Sequence, residues 1–292
     1  MLETVRHPAR DGFPLAVDLH LPEGRPVAAV VLAPAMAVHR GFYRTFAAHL
    51  AASGMVVAVP DYRGIGDSAP PSLGGFQATL EDWAHQDLAS ILDLLADRYP
   101  DTPRRWIGHS VGGQLFGLLD DVRGVDRALF VASQSGYWRH WSGAPRAAIH
   151  GLWHVIIPAL VPTFGYLPMK AFRQGLDVPA GVARQWAAWG RHPEYIRTSA
   201  RPTSAFDTYT GKIRLYAFTD DGYAPPATVL ALGDLYRKAD VTRQVLSPRD
   251  LGAGAVGHFS AFKATFRDRL WGELQSWVAE GAGNRAEPAA IG

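Results

Sequence analysis

The pentapeptide Gly108-His109-Ser110-Val111-Gly112 sets a serine between two glycines, after a short strand-like run at 104–107 and before residues 113–119, which can continue as a helix. A sharp strand-to-helix turn of this kind, a nucleophile elbow, holds the serine hydroxyl exposed and leaves no room for side chains two residues to either side. A serine hydroxyl is a poor nucleophile near neutral pH. It needs an imidazole to accept its proton and a carboxylate to fix the tautomer of that imidazole. Both lie downstream. Residues 212–219 alternate polar and apolar as a strand does and run into Asp220-Asp221-Gly222-Tyr223-Ala224-Pro225, so a carboxylate, Asp220 or Asp221, sits on the turn leaving that strand. A further strand pattern at 241–246 leads through the Gly-rich 251–257 to His258, which alone of the eleven histidines lies beyond the acid. A lone histidine in such a loop is ordinarily solvated. Its place in an ordered Ser, Asp, His series makes it a candidate general base for acyl transfer through a serine ester.

Those residues need a scaffold. Residues 27–33 and 55–60 are near-continuous apolar runs, the pattern of central parallel strands buried on both faces. Between them Phe42, Phe46, Ala47, Leu50 and Ala51 recur at helical spacing and stop at Gly54, a good terminator. Residues 15–21 read as an edge strand, 83–98 as a helix, 125–132 as the strand after the elbow helix, and 271–278 as a closing amphipathic helix. This alternation predicts an α/β fold with a mostly parallel, doubly wound sheet. It stops between Gln134 and Gly211, too long an interval for a bare loop, so an inserted helical cap is expected. The expected organisation is a core of 1–133 and 212–280, a cap of 134–211, and a frayed Ala-, Gly- and Glu-rich tail at 281–292.

Over about residues 10–280 the chain resembles the α/β-hydrolase superfamily, close to the bacterial predicted hydrolases grouped with serine aminopeptidase S33-like and monoacylglycerol-lipase-like sequences. The resemblance is carried by Val30-Val31-Leu32-Ala33-Pro34-Ala35-Met36, Asp61-Tyr62-Arg63-Gly64-Ile65-Gly66-Asp67-Ser68, the elbow, the Asp220 to Pro225 segment and Gly257-His258-Phe259. It implies an α/β-hydrolase fold and a triad of Ser110, Asp221 and His258. The family's D-x-x-x-P arrangement selects Asp221, paired with Pro225, and leaves Asp220 to cap the next helix or hold the turn. It also implies an oxyanion hole from the backbone N–H groups of Met36 and Val111, although Met36 could equally pack beneath the site. Many relatives carry His-Gly where this chain has Pro34-Ala35, so that histidine's hydrogen bonds are missing here; backbone donors do not depend on it.

Composition bounds the remainder. A net charge of +2 with interspersed signs offers no stripe for nucleic acid. The absence of cysteine excludes disulfides, thiolate metal sites and cysteine catalysis. No H-E-x-x-H and no G-x-x-x-x-G-K occurs, and His140, His150 and His154 lack the carboxylate or cysteine company of a metal site, so neither metal nor organic cofactor is expected. Residues 1–8 hold no apolar leader, and the expected location is cytoplasmic. The cap contains ten Trp, Tyr and Phe residues between Tyr137 and Tyr195; most should form its own core and a minority should reach an apolar acyl or aryl pocket. Residues 147–169 carry no Asp, Glu, Lys or Arg, but three prolines and two histidines oppose a stable membrane span. The expected partner is a small apolar ester, with a homodimer allowed. The expected activity is hydrolysis of a carboxylic ester through an acyl-enzyme. An acyltransferase with the same triad, or a non-catalytic ligand-binding protein on this fold, are the alternatives.

Overall fold

The computed structural model describes residues 1–282, so the expected tail lies, from residue 283 on, outside the described residues. Eight strands form one sheet: β1 (Leu2–Pro8), β2 (Pro14–His20), β3 (Ala28–Ala33), β4 (Met55–Pro60), β5 (Arg104–His109) and β6 (Val125–Val131), then, after a two-stranded ribbon of β7 (Tyr166–Leu167) and β8 (Val178–Pro179), β9 (Lys212–Phe218) and β10 (Asp240–Leu246). The order is β1-β2-β4-β3-β5-β6-β9-β10. The pairs β1–β2 and β2–β4 are antiparallel, and every other pair in this sheet is parallel. This is the mostly parallel, doubly wound sheet that the residue pattern predicts.

The chain departs from β3 towards β4 on one side and, through β5, towards β10 on the other. The crevice between the carboxyl ends of β3 and β5 is therefore the switch point at which open α/β sheets bind ligands. Every residue of β3 and β4 is buried. Helix Arg44–Ala52 and the closing helix cover one face, where Phe46, Leu50, Trp271 and Leu274 pack on Val30 and Val57. The opposite face carries the helix at 80–98, with Trp83, Leu88 and Ile91 against Ala29, Val31 and Val56. Each such side chain contributes roughly 1.5–3 kcal/mol by leaving water.

Three local expectations are corrected. Residues 15–21 are not an edge: β2 lies inside the sheet with six buried residues, and β1 supplies the edge. The alternation of Glu3, Val5 and His7 on the inner side of β1 is too weakly apolar to announce a strand. The helix expected from 83 begins at Leu80, where Thr79 accepts from the N–H of Asp82 and the Asp82 carboxylate accepts from the N–H of Thr79, a reciprocal cap. The closing helix likewise begins earlier, at Arg267.

Between β6 and β9 the chain leaves the sheet. A helix spans Gly143–Phe164, the β7–β8 ribbon turns the chain back, and helix Ala180–Arg191 packs against it. Trp153, Ile157 and Val161, four residues apart, form the buried stripe of the first helix.

Candidate active site

Ser110 directly follows β5 with φ 52° and ψ −117°, a conformation that a residue with a side chain adopts only where its surroundings impose it. The surroundings here are glycines. A Cβ on Gly108 would stand 2.3 Å from the nitrogen of Gly113, and one on Gly112 would stand 2.1 Å from the carbonyl oxygen of Ala33. The elbow thus packs backbone on backbone against β3. Ser110 begins helix Val111–Phe116, and its carbonyl accepts from the N–H groups of Gly113 and Gln114.

Asp221 and His258 meet at the carboxyl ends of β9 and β10. His258 Nδ1 lies 2.7 Å from Asp221 Oδ2, and both residues are buried. The other oxygen, Oδ1, accepts from the N–H groups of Tyr223 (2.8 Å) and Ala224 (2.9 Å). Three donors therefore hold a buried carboxylate, and the proton on Nδ1 leaves Nε2 as the acceptor of the neutral ring. Asp220 has a different task. Its Oδ2 accepts from the N–H groups of Val256 (2.8 Å) and Gly257 (3.1 Å), so it pins the Gly-rich loop that presents His258.

No hydrogen bond joins Ser110 Oγ to the His258 ring, a contact that in ligand-free sites is often long. A buried relay through His109 ties the two loops together. His109 Nε2 lies 2.8 Å from the carbonyl oxygen of His258, and Nδ1 lies 2.7 Å from Tyr43 Oη. Tyr43 Oη in turn accepts from the N–H of Ala35 at 2.8 Å. A carbonyl can only accept, so Nε2 carries the proton, Nδ1 accepts from the tyrosine hydroxyl, and every direction in the chain is fixed. Burial, followed by the nearby His258 ring, holds the His109 pKa well below its usual value, so His109 stays neutral. It braces the elbow, and through Tyr43 it also holds the loop after β3.

That loop carries Met36. Ala35 to Val38 form a turn closed by the Val38 N–H on the Ala35 carbonyl, with Ala37 at φ 62°. The Ala37 carbonyl is capped by the N–H of Leu176 at 2.7 Å. Neighbouring Gly175, at φ 120°, permits this approach, since a Cβ there would lie 2.6 Å from the same oxygen. Among the described residues the N–H groups of Met36 and Val111 donate to no other group, which leaves both available to an oxyanion. Met36 is half-buried and its side chain packs against the core beneath, an arrangement that leaves its backbone N–H free to donate.

Behind the loop, the Arg40 guanidinium bridges Asp18, Asp61 and Asp67, and Asp61 also accepts from the Arg40 N–H at 2.7 Å. His39 Nε2 lies 3.4 Å from Asp61 and 3.5 Å from Asp67. These groups are close enough together to invite a metal ion. His39 Nδ1, however, already accepts from the Gly41 N–H at 2.9 Å, and the Arg40 guanidinium stands 3.2 Å from Nε2, so a fixed cation already sits among these carboxylates. The cluster locks the loop at 61–68 to the loop after β3.

Above the site lies a cavity of about 340 Å³ lined by Trp141, Leu152, Trp153, Leu160, Trp186 and Tyr223. Two amides, Gln134 and Gln174, are its polar points. Two of its wall residues reach towards the site: the Tyr223 ring packs 5.3 Å from the His258 ring, and Gln134 accepts from Gln114, one turn after Ser110, at 3.0 Å. Tyr195 donates to Gln114 at 2.8 Å, which ties the inserted segment to the elbow helix. Of the ten aromatic residues of that segment, Trp141, Trp153, Phe172 and Trp186 reach the cavity, while Trp189 and Tyr195 pack on each other away from it. Tyr43, Gln134 and Tyr223 are missed by sequence reasoning, for only the fold brings them beside residues so distant in the chain.

Comparison with known proteins gives the family and the fold. The family model for serine aminopeptidase, S33, matches residues 24–174. A monoacylglycerol lipase of Mycolicibacterium smegmatis is 34% identical over 104 residues, a stretch covering 35% of each chain, so the match spans about a third of that relative. Among solved structures, a highly thermostable carboxyl esterase from Bacillus coagulans superposes with a TM-score of 0.67 at 14% identity, covering 95% of this chain and 97% of that one. An esterase from Exiguobacterium antarcticum superposes with a TM-score of 0.62 at 16% identity, covering 94% and 99%. These two share the α/β-hydrolase fold. With the family model matching more than half of its length, the chain belongs to the serine aminopeptidase S33 family of α/β-hydrolases.

Proposed function

We propose that the protein is a serine carboxylesterase for esters with an apolar acyl or aryl group. The observation that carries this reading is the apolar cavity whose wall residues Tyr223 and Gln134 respectively pack against His258 and bond the elbow helix at Gln114. Ser110 attacks the ester carbonyl while His258 takes its proton; the N–H groups of Met36 and Val111 hold the oxyanion; His258 returns the proton to the leaving alcohol, and water then deacylates Ser110. The inserted segment acts as a cap that excludes water and holds the acyl chain. A monoacylglycerol lipase among the relatives supports a glyceride-like ester. Nothing in the cavity lining is acidic, so it offers no counter-charge to the amino terminus of a peptide, and the peptidase activity named for the family is not adopted. Transfer of the acyl group to an alcohol in place of water would use the same residues.

The test is a series of p-nitrophenyl esters from acetate to long acyl chains, with a fluorophosphonate probe to locate the nucleophile by mass spectrometry. kcat/KM is expected to rise with chain length until about 340 Å³ is filled and then level, and the probe is expected on Ser110. Absence of both turnover and labelling would leave a binding protein.

The pH profile has a defined shape. A histidine whose folded pKa is depressed resists protonation, so His109 stays neutral as pH falls and adds no proton of its own. Activity is expected to decline towards acid with unit slope in log kcat/KM, from one base. A slope of two would mean that His109 titrates as well.

A further inference from the structure

We propose that the outer face of helix Gly143–Phe164 docks the protein on an anionic phospholipid surface. The helix is 22 residues long, about 33 Å at the helical rise, and long and apolar enough to cross a bilayer, yet only 17% of its most apolar stretch is buried. Crossing is excluded by its packing. Trp153, Ile157 and Val161 face inward, Pro158 and Pro162 interrupt its hydrogen bonding, and the chain at both ends returns to the same body. A helix with one face packed on protein and an apolar opposite face lies in an interface rather than through it. Val155 is 62% exposed and Phe164 50%, and Phe172 just beyond is 55% exposed.

Charge selects the occupant. Residues 127–176 contain no Asp or Glu. Arg139 and Arg146 stand over the Trp138 ring, 5.0 and 5.1 Å from its centroid, near the start of the helix. Lys170 and Arg173 follow its end, and all four are exposed. Among the described residues none of the four makes a salt bridge. Cations at both ends of an exposed apolar helix, with an aromatic residue at the rim, are the chemistry that an anionic headgroup layer complements. The cavity opens on the same side: Ile156 and Phe172 line it and are themselves 45% and 55% exposed. An apolar ester could thus pass from lipid to cavity without crossing water, a benefit that rests on the esterase reading; the docking itself does not.

The test is flotation of the full chain with vesicles of phosphatidylcholine, alone or with one third phosphatidylglycerol, at low and high salt. Partitioning is expected to be at least about tenfold stronger on the anionic vesicles and to weaken as salt screens it. Each arginine near the surface is worth roughly fivefold, so Arg139→Gln with Arg146→Gln should erase most of the preference. Val155→Asp with Phe164→Asp should abolish binding while leaving circular dichroism and turnover of a short soluble ester unchanged. Ser110→Ala should bind as the wild type does, which separates failure of docking from failure of the serine chemistry. Hydrogen exchange of the wild type on vesicles needs no variant and should show added protection at 143–173. Absence of binding, equal binding to neutral vesicles, or a dimer that Val155→Asp with Phe164→Asp separates would each overturn the proposal, the last by giving the face to a second copy.

Discussion

Ser110→Ala is expected to reduce kcat on the best p-nitrophenyl ester by about 10⁶-fold, with KM nearly unchanged and the fluorophosphonate label gone. The size follows from the arrangement. Without Oγ there is no acyl-enzyme, and His258 and its orienting carboxylate lose the group they serve, so their contributions vanish together. What remains is the acceleration given by the oxyanion donors and by binding, roughly 10³-fold to 10⁴-fold over water. The substitution is conservative for the fold. It removes one atom from a buried residue whose positive φ is imposed by the close packing of Gly108 and Gly112, and alanine occupies the same backbone conformation. Unchanged circular dichroism should therefore accompany the loss. Equal, negligible rates in both proteins together with saturable ester binding would assign capture, not turnover, to the site.

The parts legible in the chain were those in which chemistry and local geometry share a few neighbouring residues. The elbow is one, because a reversal that places a Cβ of residue 112 within 2.1 Å of the Ala33 carbonyl admits only glycine, and that demand is written locally. The buried strands β3 and β4 are another, since a strand covered on both faces must be apolar throughout. The His109 relay was not legible. Tyr43 is 66 positions from His109 and His258 is 149 positions away, and nothing in either neighbourhood marks the pairing. The same holds for Arg40, whose three carboxylate partners come from strand β2, the loop after β4 and the turn at 66–68; burial opposes its charge, but its hydrogen bonds to Asp67, Asp18 and Asp61 and the charge of Asp61 outweigh that and hold it firmly protonated. The long helix of the inserted segment fails for a different reason. Apolar residues on a buried face and on an exposed one give the same composition, so only the fold reveals that the outer side of Gly143–Phe164 is uncovered.

Two adjacent carboxylates offer the sharpest dissection of the site. Asp221→Asn is expected to lower kcat by about 10⁴-fold, whereas Asp220→Ala should cost only about tenfold, with chain-length preference unaltered in both. In the first variant the amide oxygen can still accept from the N–H groups of Tyr223 and Ala224, so the turn survives. The amide nitrogen then faces His258 Nδ1 across 2.7 Å, and because it can only donate, it forces the proton onto Nε2. The ring is held in place with the wrong tautomer and cannot take a proton from Ser110. The second variant leaves that pair intact and removes two acceptor contacts to Val256 and Gly257, which loosens the loop that carries His258 without changing its chemistry. Steady-state kinetics on one ester and a proton spectrum of the His258 Nδ1–H in each variant distinguish the cases: the downfield resonance should disappear in Asp221→Asn and persist in Asp220→Ala. If Asp220→Ala proved the more damaging, the carboxylate that orients His258 during turnover would be Asp220, and the loop would have to rearrange from the geometry seen here before ester could be cleaved.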